Sequence, residues 1–200
     1  MVRPAPRAGG NVGLATGGQG RRPAPLLITA QLPPYVLGWA DAIRRAHYPH
    51  DRNRLPAHVT LFHGLPPSAG GEIRAVLAQV AAAHLAPAAQ VSGIMPLGGG
   101  TAFKVTSAAL VAIHEELLDR FYGILSQQDS HRLNPHITVQ NKVPEAEARQ
   151  LQASLQASFK PRKFGFPGLA LHLYRDGLWE FVQSWRFRGN RVVDRRRTSP

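Results

Sequence analysis

The sequence predicts an α+β fold in which one unit of strands and helices occurs twice. The 200 residues are 44% hydrophobic, which is enough to fill one core of ordinary size. From Leu26 onward, short runs of strand-forming residues alternate with helical patterns. The pattern Arg-Leu-x-x-His-[Val/Ile]-Thr-[Leu/Val] occurs at residues 54–61 and again at 132–139. We call it the repeated motif, and two copies of one supersecondary unit, related by a pseudo-twofold axis, explain it.

The first predicted half covers residues 26–97. Its helical segments follow prolines, which are tolerated at the first turn of a helix, and its extended segments are rich in β-branched and apolar residues. In order, its predicted elements are a strand over 26–32, a helix over 35–46, a strand over 58–65, a helix over 71–84 and a strand over 90–95.

The second predicted half covers residues 98–187 and starts with the turn Gly98-Gly99-Gly100. Asp176-Gly177 is typical of a two-residue hairpin turn and joins its last two strands. In order, its predicted elements are a strand over 101–107, helices over 108–126 and 144–159 on either side of a strand over 136–143, and strands over 164–174 and 178–187.

The formal charge of +12 lies mostly at the two ends of the chain. Residues 1–25 carry four arginines and no acidic residue, residues 186–200 carry +5, and the remainder carries +3. We expect a disordered basic tail over residues 1–25 and a basic tail over 188–200, because neither stretch has hydrophobic periodicity. Such tails are either solvated or contact the phosphates of RNA.

The composition also excludes several classes of protein and site. There is no cysteine, so disulfides, thiolate metal sites and cysteine nucleophiles are excluded. No apolar run approaches the roughly 18 residues of a membrane-spanning helix, and the N-terminus lacks the apolar stretch of a signal peptide. We expect a cytoplasmic, monomeric protein that does not bind a membrane.

The repeated motif places two polar pairs where they can share one site. Side chains alternate along a strand, so His58 and Thr60 point to the same face, as do His136 and Thr138. A pseudo-twofold axis would bring both pairs to one cleft. Four apolar residues between them are expected to point into the core: Val59, Leu61, Ile137 and Val139.

This arrangement suits the chemistry of a phosphate ester. One imidazole can take a proton from the attacking hydroxyl or water while the other donates a proton to the leaving oxygen, and His136 is the favoured base for hydrolysis. The hydroxyls of Thr60 and Thr138 can donate to the non-bridging oxygens. No metal or other cofactor is required. The alternative is that both histidines are structural.

The paired His-x-Thr motifs, 78 residues apart, resemble those of the two-histidine phosphoesterase superfamily, which includes 2′-5′ RNA ligases and cyclic phosphodiesterases. The resemblance spans residues 26–187 as a single domain. It implies two antiparallel sheets that flank a central cleft, with helices on the outside. It also implies hydrolysis of 2′,3′-cyclic phosphates or 2′-5′ phosphodiester bonds of RNA or nucleotides, sometimes with reversible 2′-5′ joining. His58 and His136 would be catalytic, and Thr60 and Thr138 would bind phosphate.

Lys142 is a further candidate for a substrate contact. Many 2′-5′ RNA ligases have an arginine five residues after the second histidine, where this chain has Asn141 followed by Lys142. Lys142 shares strand parity with His136, so its ammonium could bind phosphate; a solvated strand end is the alternative.

Six other residues are assigned a role, five of them with an open alternative. Phe62 shares the face of His58 and either stacks on a base or packs in the core. Arg54 and Arg132 either steer phosphate or stabilise their loops, and His63 is expected to be structural on the packing face. Core packing is expected for two aromatic residues that could instead form a wall of the cleft: Tyr174 and Trp179.

Two other functions stay open at this point. The protein could be a non-catalytic RNA- or nucleotide-binding module that uses its arginine-rich tails for backbone contacts. It could also be a cyclic phosphodiesterase for a small metabolite other than RNA, since residues 26–185 carry a net charge of only +3.

Overall fold

A computed structural model describes residues 24–175 and 177–189 of the chain. The predicted tails, residues 1–25 and 188–200, lie outside the described residues except at their inner ends. The strands are β1 (Leu26–Ala30), β2 (Val59–Leu65), β3 (Ala88–Pro96), β4 (Gly100–Thr106), β5 (His136–Asn141), β6 (Arg162–Gly165), β7 (Gly168–Arg175) and β8 (Leu178–Arg186). The helices are α1 (Pro34–His47), α2 (Gly70–Ala83), α3 (Ala108–Arg120) and α4 (Glu145–Ser158).

The strands form two antiparallel sheets of four, in the orders β2-β1-β7-β8 and β5-β4-β3-β6. This confirms the predicted fold class. Each sheet takes strands from both predicted halves, because β3 pairs with β4 and β7 pairs with β1. The two sheets therefore do not correspond to the predicted halves 26–97 and 98–187. The last strand of the first half, β3, pairs in the sheet of β4 and β5, and the last two strands of the second half, β7 and β8, pair in the sheet of β1 and β2. The two edge strands that carry the repeated motif, β2 and β5, lie in contact.

The helices cover the sheets with one apolar face each. In α2, Ile73, Val76, Leu77 and Val80 are buried at helical spacing and the helix contacts β7 and β8. Helix α4 contacts β3 and β4, and α1 contacts β5 of the opposite sheet. Each fully buried Leu, Ile or Phe contributes about 1.5–3 kcal/mol, so this shared core dominates the stability of the domain. None of the helices in the described part of the chain is long and apolar enough to cross a membrane.

Strand β2 contains a β-bulge directly after the threonine of the first motif. Thr60 pairs with Thr29 and Phe62 pairs with Ile28, which leaves Leu61 as the extra residue. Leu61 and Phe62 are consequently both buried. The alternation of faces is reversed at Phe62 and His63, and a second irregularity between Phe62 and Leu65 restores it, so that Leu65 is buried.

Strand β5 contains the same bulge at the equivalent position of the second motif. Thr138 pairs with Ala102 and Gln140 pairs with Thr101, so Val139 is the extra residue. Val139 and Gln140 are both buried. The two copies of the motif thus share a backbone irregularity as well as a sequence pattern.

Two predicted elements have different bounds in the structure. The single strand predicted over 164–174 is two strands, β6 and β7, which belong to different sheets. Pro167, which has no N–H to donate, lies between them, and a Cβ at Gly168 would collide with the backbone of β8. The helix predicted over 108–126 ends at Arg120, and Gly123 soon follows in a left-handed conformation, with φ 92°.

Candidate active site

The two motif histidines are held in the same way. His58 Nδ1 lies 2.7 Å from the carbonyl oxygen of Pro56, and His136 Nδ1 lies 2.8 Å from that of Asn134, in each case two residues earlier in the chain. A carbonyl oxygen only accepts hydrogen bonds, so Nδ1 carries the proton in both rings. In the neutral imidazoles, Nε2 is therefore the unprotonated nitrogen that can accept a proton.

The faces of the motif strands agree with the predicted alternation up to the bulges. The apolar residues of both motifs are buried, with Val59, Ile137 and Val139 fully inaccessible and Leu61 3% exposed. The histidines and threonines between them are half-buried. The packing role predicted for the apolar residues is confirmed.

The environment of His58 disfavours the protonated, charged form of its imidazole. Burial lowers its pKa from 6.5 to about 4, and the positive charges of Arg44, His172 and His136 act in the same direction. The hydrogen bond to the Pro56 carbonyl raises the pKa of His58, but by less than these effects lower it. His58 is therefore neutral at pH 7 and available as a proton acceptor. The Arg44 guanidinium also contributes a positive charge near His58, which suits an anionic ligand.

A cavity of about 340 Å³ lies beside His58, between sheet β2-β1-β7-β8 and the N-terminal part of α1. The Trp179 ring forms one wall, with its centroid 4.5 Å from that of His58 and the planes inclined at 48°. Phe181, Leu32 and Leu37 add apolar surface, and among the described residues no Asp, Glu, Lys or Arg lines the cavity. Its size and lining suit a planar, uncharged group next to His58.

His172 is a second histidine of this cavity, and sequence reasoning missed it. It lies on β7, with Nε2 3.0 Å from Thr29 Oγ1 and its ring centroid 5.6 Å from that of Trp179. Burial lowers its pKa. Only the pairing of β7 with β1, across a separation of 143 residues, brings it to the site, so no local pattern could have indicated it.

Arg44 on α1 was missed as well, although the sequence contains a signal for it. It is 4% exposed and follows Val36 and Ala40 at spacings of four, on the buried face of the helix. One of its Nη atoms donates to the carbonyl oxygen of Thr138 at 2.8 Å. An arginine on an apolar stripe is the pattern that could have drawn attention to it.

The lysine opposite the second motif is Lys104 rather than Lys142. Lys104 pairs directly with His136 across β4 and β5, so the two side chains share a face, and Lys104 is exposed. Lys142 lies beyond the end of β5 with φ 62° and is exposed. Lys142 does not share the face of His136 as predicted, because the extra residue Val139 shifts the alternation. Its exposed position fits the alternative of a solvated strand end.

The first bulge overturns the strand face that was predicted for two further residues. Phe62 is fully buried and stacks on His114, with centroids 4.8 Å apart, so it packs in the core and does not face the substrate. His63 points outward instead of into the packing face, and its Nδ1 lies 3.1 Å from Asp129 Oδ1. Its role is structural, as predicted, but it acts by anchoring the turn before β5.

The remaining candidates are divided between the surface and the cavity. Arg54 is exposed and its Nε donates to the carbonyl oxygen of Asp51 at 3.3 Å, which favours the loop-stabilising alternative. Arg132 is exposed. Tyr174 is 42% exposed, and Trp179 is a wall of the cavity, so core packing was wrong for both. No group of three or more potential metal ligands occurs among residues 24–175 and 177–189.

The fold and the site define a class of protein: an α+β domain with two antiparallel sheets and a matched pair of histidines at the starts of adjoining edge strands. The family model of the 2′-5′ RNA ligase superfamily matches residues 32–178, and the chain belongs to this superfamily of two-histidine phosphoesterases. No curated protein matches the sequence.

Solved structures share the fold at low sequence identity. The protein TT0787 of Thermus thermophilus is 19% identical with a TM-score of 0.60, over 83% of this chain and 99% of its own. E. coli LigT complexed with NADP+ is 12% identical with a TM-score of 0.54, over 84% of this chain and 99% of its own. LigT complexed with 3′-AMP is 12% identical with a TM-score of 0.53, over 82% and 98%.

Proposed function

We propose that this protein is a phosphoesterase that opens 2′,3′-cyclic phosphates, or cleaves 2′-5′ phosphodiester bonds, of RNA or nucleotides through His58 and His136. The observation that carries the proposal is the matched anchoring of the two imidazoles. Each Nδ1 is engaged by a backbone carbonyl, which leaves Nε2 of both rings for proton transfer.

In the hydrolytic direction, neutral His58 accepts a proton from water as its oxygen attacks phosphorus. The bond from phosphorus to one ribose oxygen breaks, and this oxygen takes up the Nε2 proton of His136, which enters the step as the imidazolium and leaves it neutral. His58 replaces His136 as the base favoured from the sequence, since burial and neighbouring charge disfavour protonated His58. The roles exchange in the reverse, 2′-5′ joining direction.

Phosphate binding in this proposal falls to Thr60, Thr138 and Lys104. The two hydroxyls donate to the non-bridging oxygens, and the ammonium of Lys104 lies on the face of His136. The cavity beside His58 would hold the base of the nucleotide against Trp179, a stacking contact worth about 1–3 kcal/mol. LigT, a protein of the same fold, forms a complex with 3′-AMP, which supports a nucleotide as the substrate class.

The test uses RNA oligonucleotides and mononucleotides that end in 2′,3′-cyclic phosphate, with EDTA present. The wild type should turn over at least one of them. His58→Ala and His136→Ala should each lower kcat by several orders of magnitude, because one proton-transfer group is lost. His131→Ala is the matched control, since His131 is an exposed histidine of the turn before β5.

Three results would contradict the proposal. Turnover that survives both substitutions would exclude the histidine pair as the catalytic groups. Oligonucleotide binding without turnover, strongly weakened by salt, would favour the non-catalytic binding module. Competition by a small cyclic phosphodiester but by no RNA substrate would favour a metabolite phosphodiesterase.

A further inference from the structure

Helix α1 makes three hydrogen bonds that connect the two motif segments. Its Asp41 accepts from the backbone N–H of Ala57, the residue before His58, at 2.5 Å. Arg44 Nε donates to Asn53 Oδ1 in the same loop at 3.1 Å, and an Nη of Arg44 donates to the carbonyl oxygen of Thr138 at 2.8 Å. The Arg44 guanidinium therefore reaches both the loop that carries His58 and the strand that carries His136.

Arg44 is a buried cation on the apolar face of α1, so its burial must be offset by other interactions. Removing a charge from water is costly unless its donors are satisfied, and apolar residues such as Val36 and Ala40 occupy the rest of the stripe. Among the described residues, Arg44 makes no salt bridge with a carboxylate. Its Cζ lies 4.2 Å from the centroid of the Tyr48 ring, which adds a cation–π contact. Its donors instead go to two neutral acceptors, Asn53 in the loop before His58 and Thr138 on β5.

The acceptor on β5, the carbonyl oxygen of Thr138, belongs to a residue of the candidate site. Thr138 directly precedes the bulged residue Val139, and its hydroxyl is proposed to bind phosphate. The second half has a counterpart: His114 on α3 is buried and stacks on Phe62, the residue after the bulged Leu61 of β2. In each half, a helix thus supplies a buried nitrogen-containing side chain to the bulge of the other half's motif strand.

We propose that Arg44 is a positioning residue: its two hydrogen bonds hold the His58 loop and the Thr138 strand at the separation that the bound phosphate requires. The proposal rests on the function proposed above and extends it to a residue that does not touch the substrate. Arg44→Lys keeps the positive charge but replaces the planar fork with a single ammonium that does not span both acceptors. Arg44→Gln removes the charge as well.

The experiment measures kcat and KM for a 2′,3′-cyclic mononucleotide and the titration of the His58 imidazole by NMR. Arg44→Lys should lower kcat about tenfold to 100-fold while the His58 titration stays as in the wild type, because misplacement of reacting groups by about 1 Å has this effect. Arg44→Gln should lower kcat similarly and also raise the pKa of His58, since the charge of Arg44 lowers it. Arg45→Gln, an exposed neighbour on α1, is the matched control and should leave kcat unchanged.

Full activity of Arg44→Lys would overturn the positioning role and leave only a role for the charge. Full activity of Arg44→Gln would show that Arg44 has no role in catalysis, and a loss of kcat equal to the unfolded fraction of this variant would make the role merely structural. If Arg44→Gln does not fold, the kinetics of Arg44→Lys decide between these outcomes. If the wild type itself has no turnover, the proposed function fails, and a second measurement still tests Arg44. Inorganic phosphate should then shift the amide resonance of Thr138 in the wild type, and titration of this shift gives the affinity for phosphate. Arg44→Lys should bind phosphate at least tenfold more weakly; equal affinities would overturn the proposal.

Discussion

Replacing His58 with glutamine should remove a large part of the sensitivity of this domain to mild acid. In the folded protein the pKa of His58 is about 4, whereas an unperturbed histidine has a pKa of 6.5. Burial is the largest cause of this difference. Between these two values the unfolded chain binds a proton that the folded chain does not. Stability is therefore fully present above pH 6.5 and is lost as the pH falls toward 4.

The size of the effect follows from the two pKa values. At 1.36 kcal/mol for each pKa unit, the wild type should lose about 2 kcal/mol of unfolding free energy between pH 7 and pH 5 through His58 alone, and about 3 kcal/mol by pH 4. Glutamine does not titrate, so His58→Gln should lack this component. Its stability relative to the wild type should thus improve by about 2 kcal/mol from pH 7 to pH 5.

Urea denaturation of both proteins at pH 7 and pH 5 measures this double difference. His131→Gln, which removes an exposed histidine instead, controls for the loss of one imidazole. If the wild type and His58→Gln lose the same stability between the two pH values, then His58 titrates at its ordinary pKa in the folded protein. The neutral base of the proposed mechanism would then lack its physical basis.

Trp179→Ala should raise the pKa of His58 toward 6.5, because it removes a ring 4.5 Å from the imidazole and admits water; an NMR titration that still places this pKa near 4 would exclude Trp179 as a cause. Asp129→Asn should lower the unfolding free energy by about 3 kcal/mol in urea at pH 7, since the buried carboxylate accepts four hydrogen bonds, two of them from backbone N–H groups. A loss below 1 kcal/mol would show that this network stabilises little. Thr60→Val and Thr138→Val should each lower kcat/KM for a cyclic phosphate by roughly tenfold to 100-fold without changing the urea midpoint, because each removes one donor to a charged oxygen. Wild-type kinetics in both variants would place the phosphate elsewhere.

Most of the fold could be predicted because its signals are local. Alternation of strand formers and helical patterns located every strand and helix to within a few residues, apart from the division of 164–174 and the early end of α3. Both exceptions arise where tertiary contacts decide. Gly168 is pressed against the backbone of β8, and Phe121, next to the end of α3, is buried in the core.

The site was predictable only as far as its repeat extends. The two histidines and two threonines were identified because they recur in matched contexts, and repetition is visible without a structure. Predictions that relied on strand parity failed beyond the threonines, as for Phe62 and Lys142. One extra residue in a strand reverses the faces of the side chains that follow it, until another irregularity intervenes. A bulge has no obligatory sequence signal when the extra residue is an ordinary Leu or Val.

By itself, the sequence determined the class of fold, the duplicated motif and the pair of imidazoles available for proton transfer. These depend on composition, periodicity and repetition, which are properties of neighbouring residues. Only tertiary contacts place His172 and Trp179 beside His58, connect Arg44 to both the loop before His58 and β5, and keep His58 neutral. The reason is physical: desolvation and Coulomb interactions depend on distance in space, and strand pairing across more than a hundred residues sets those distances.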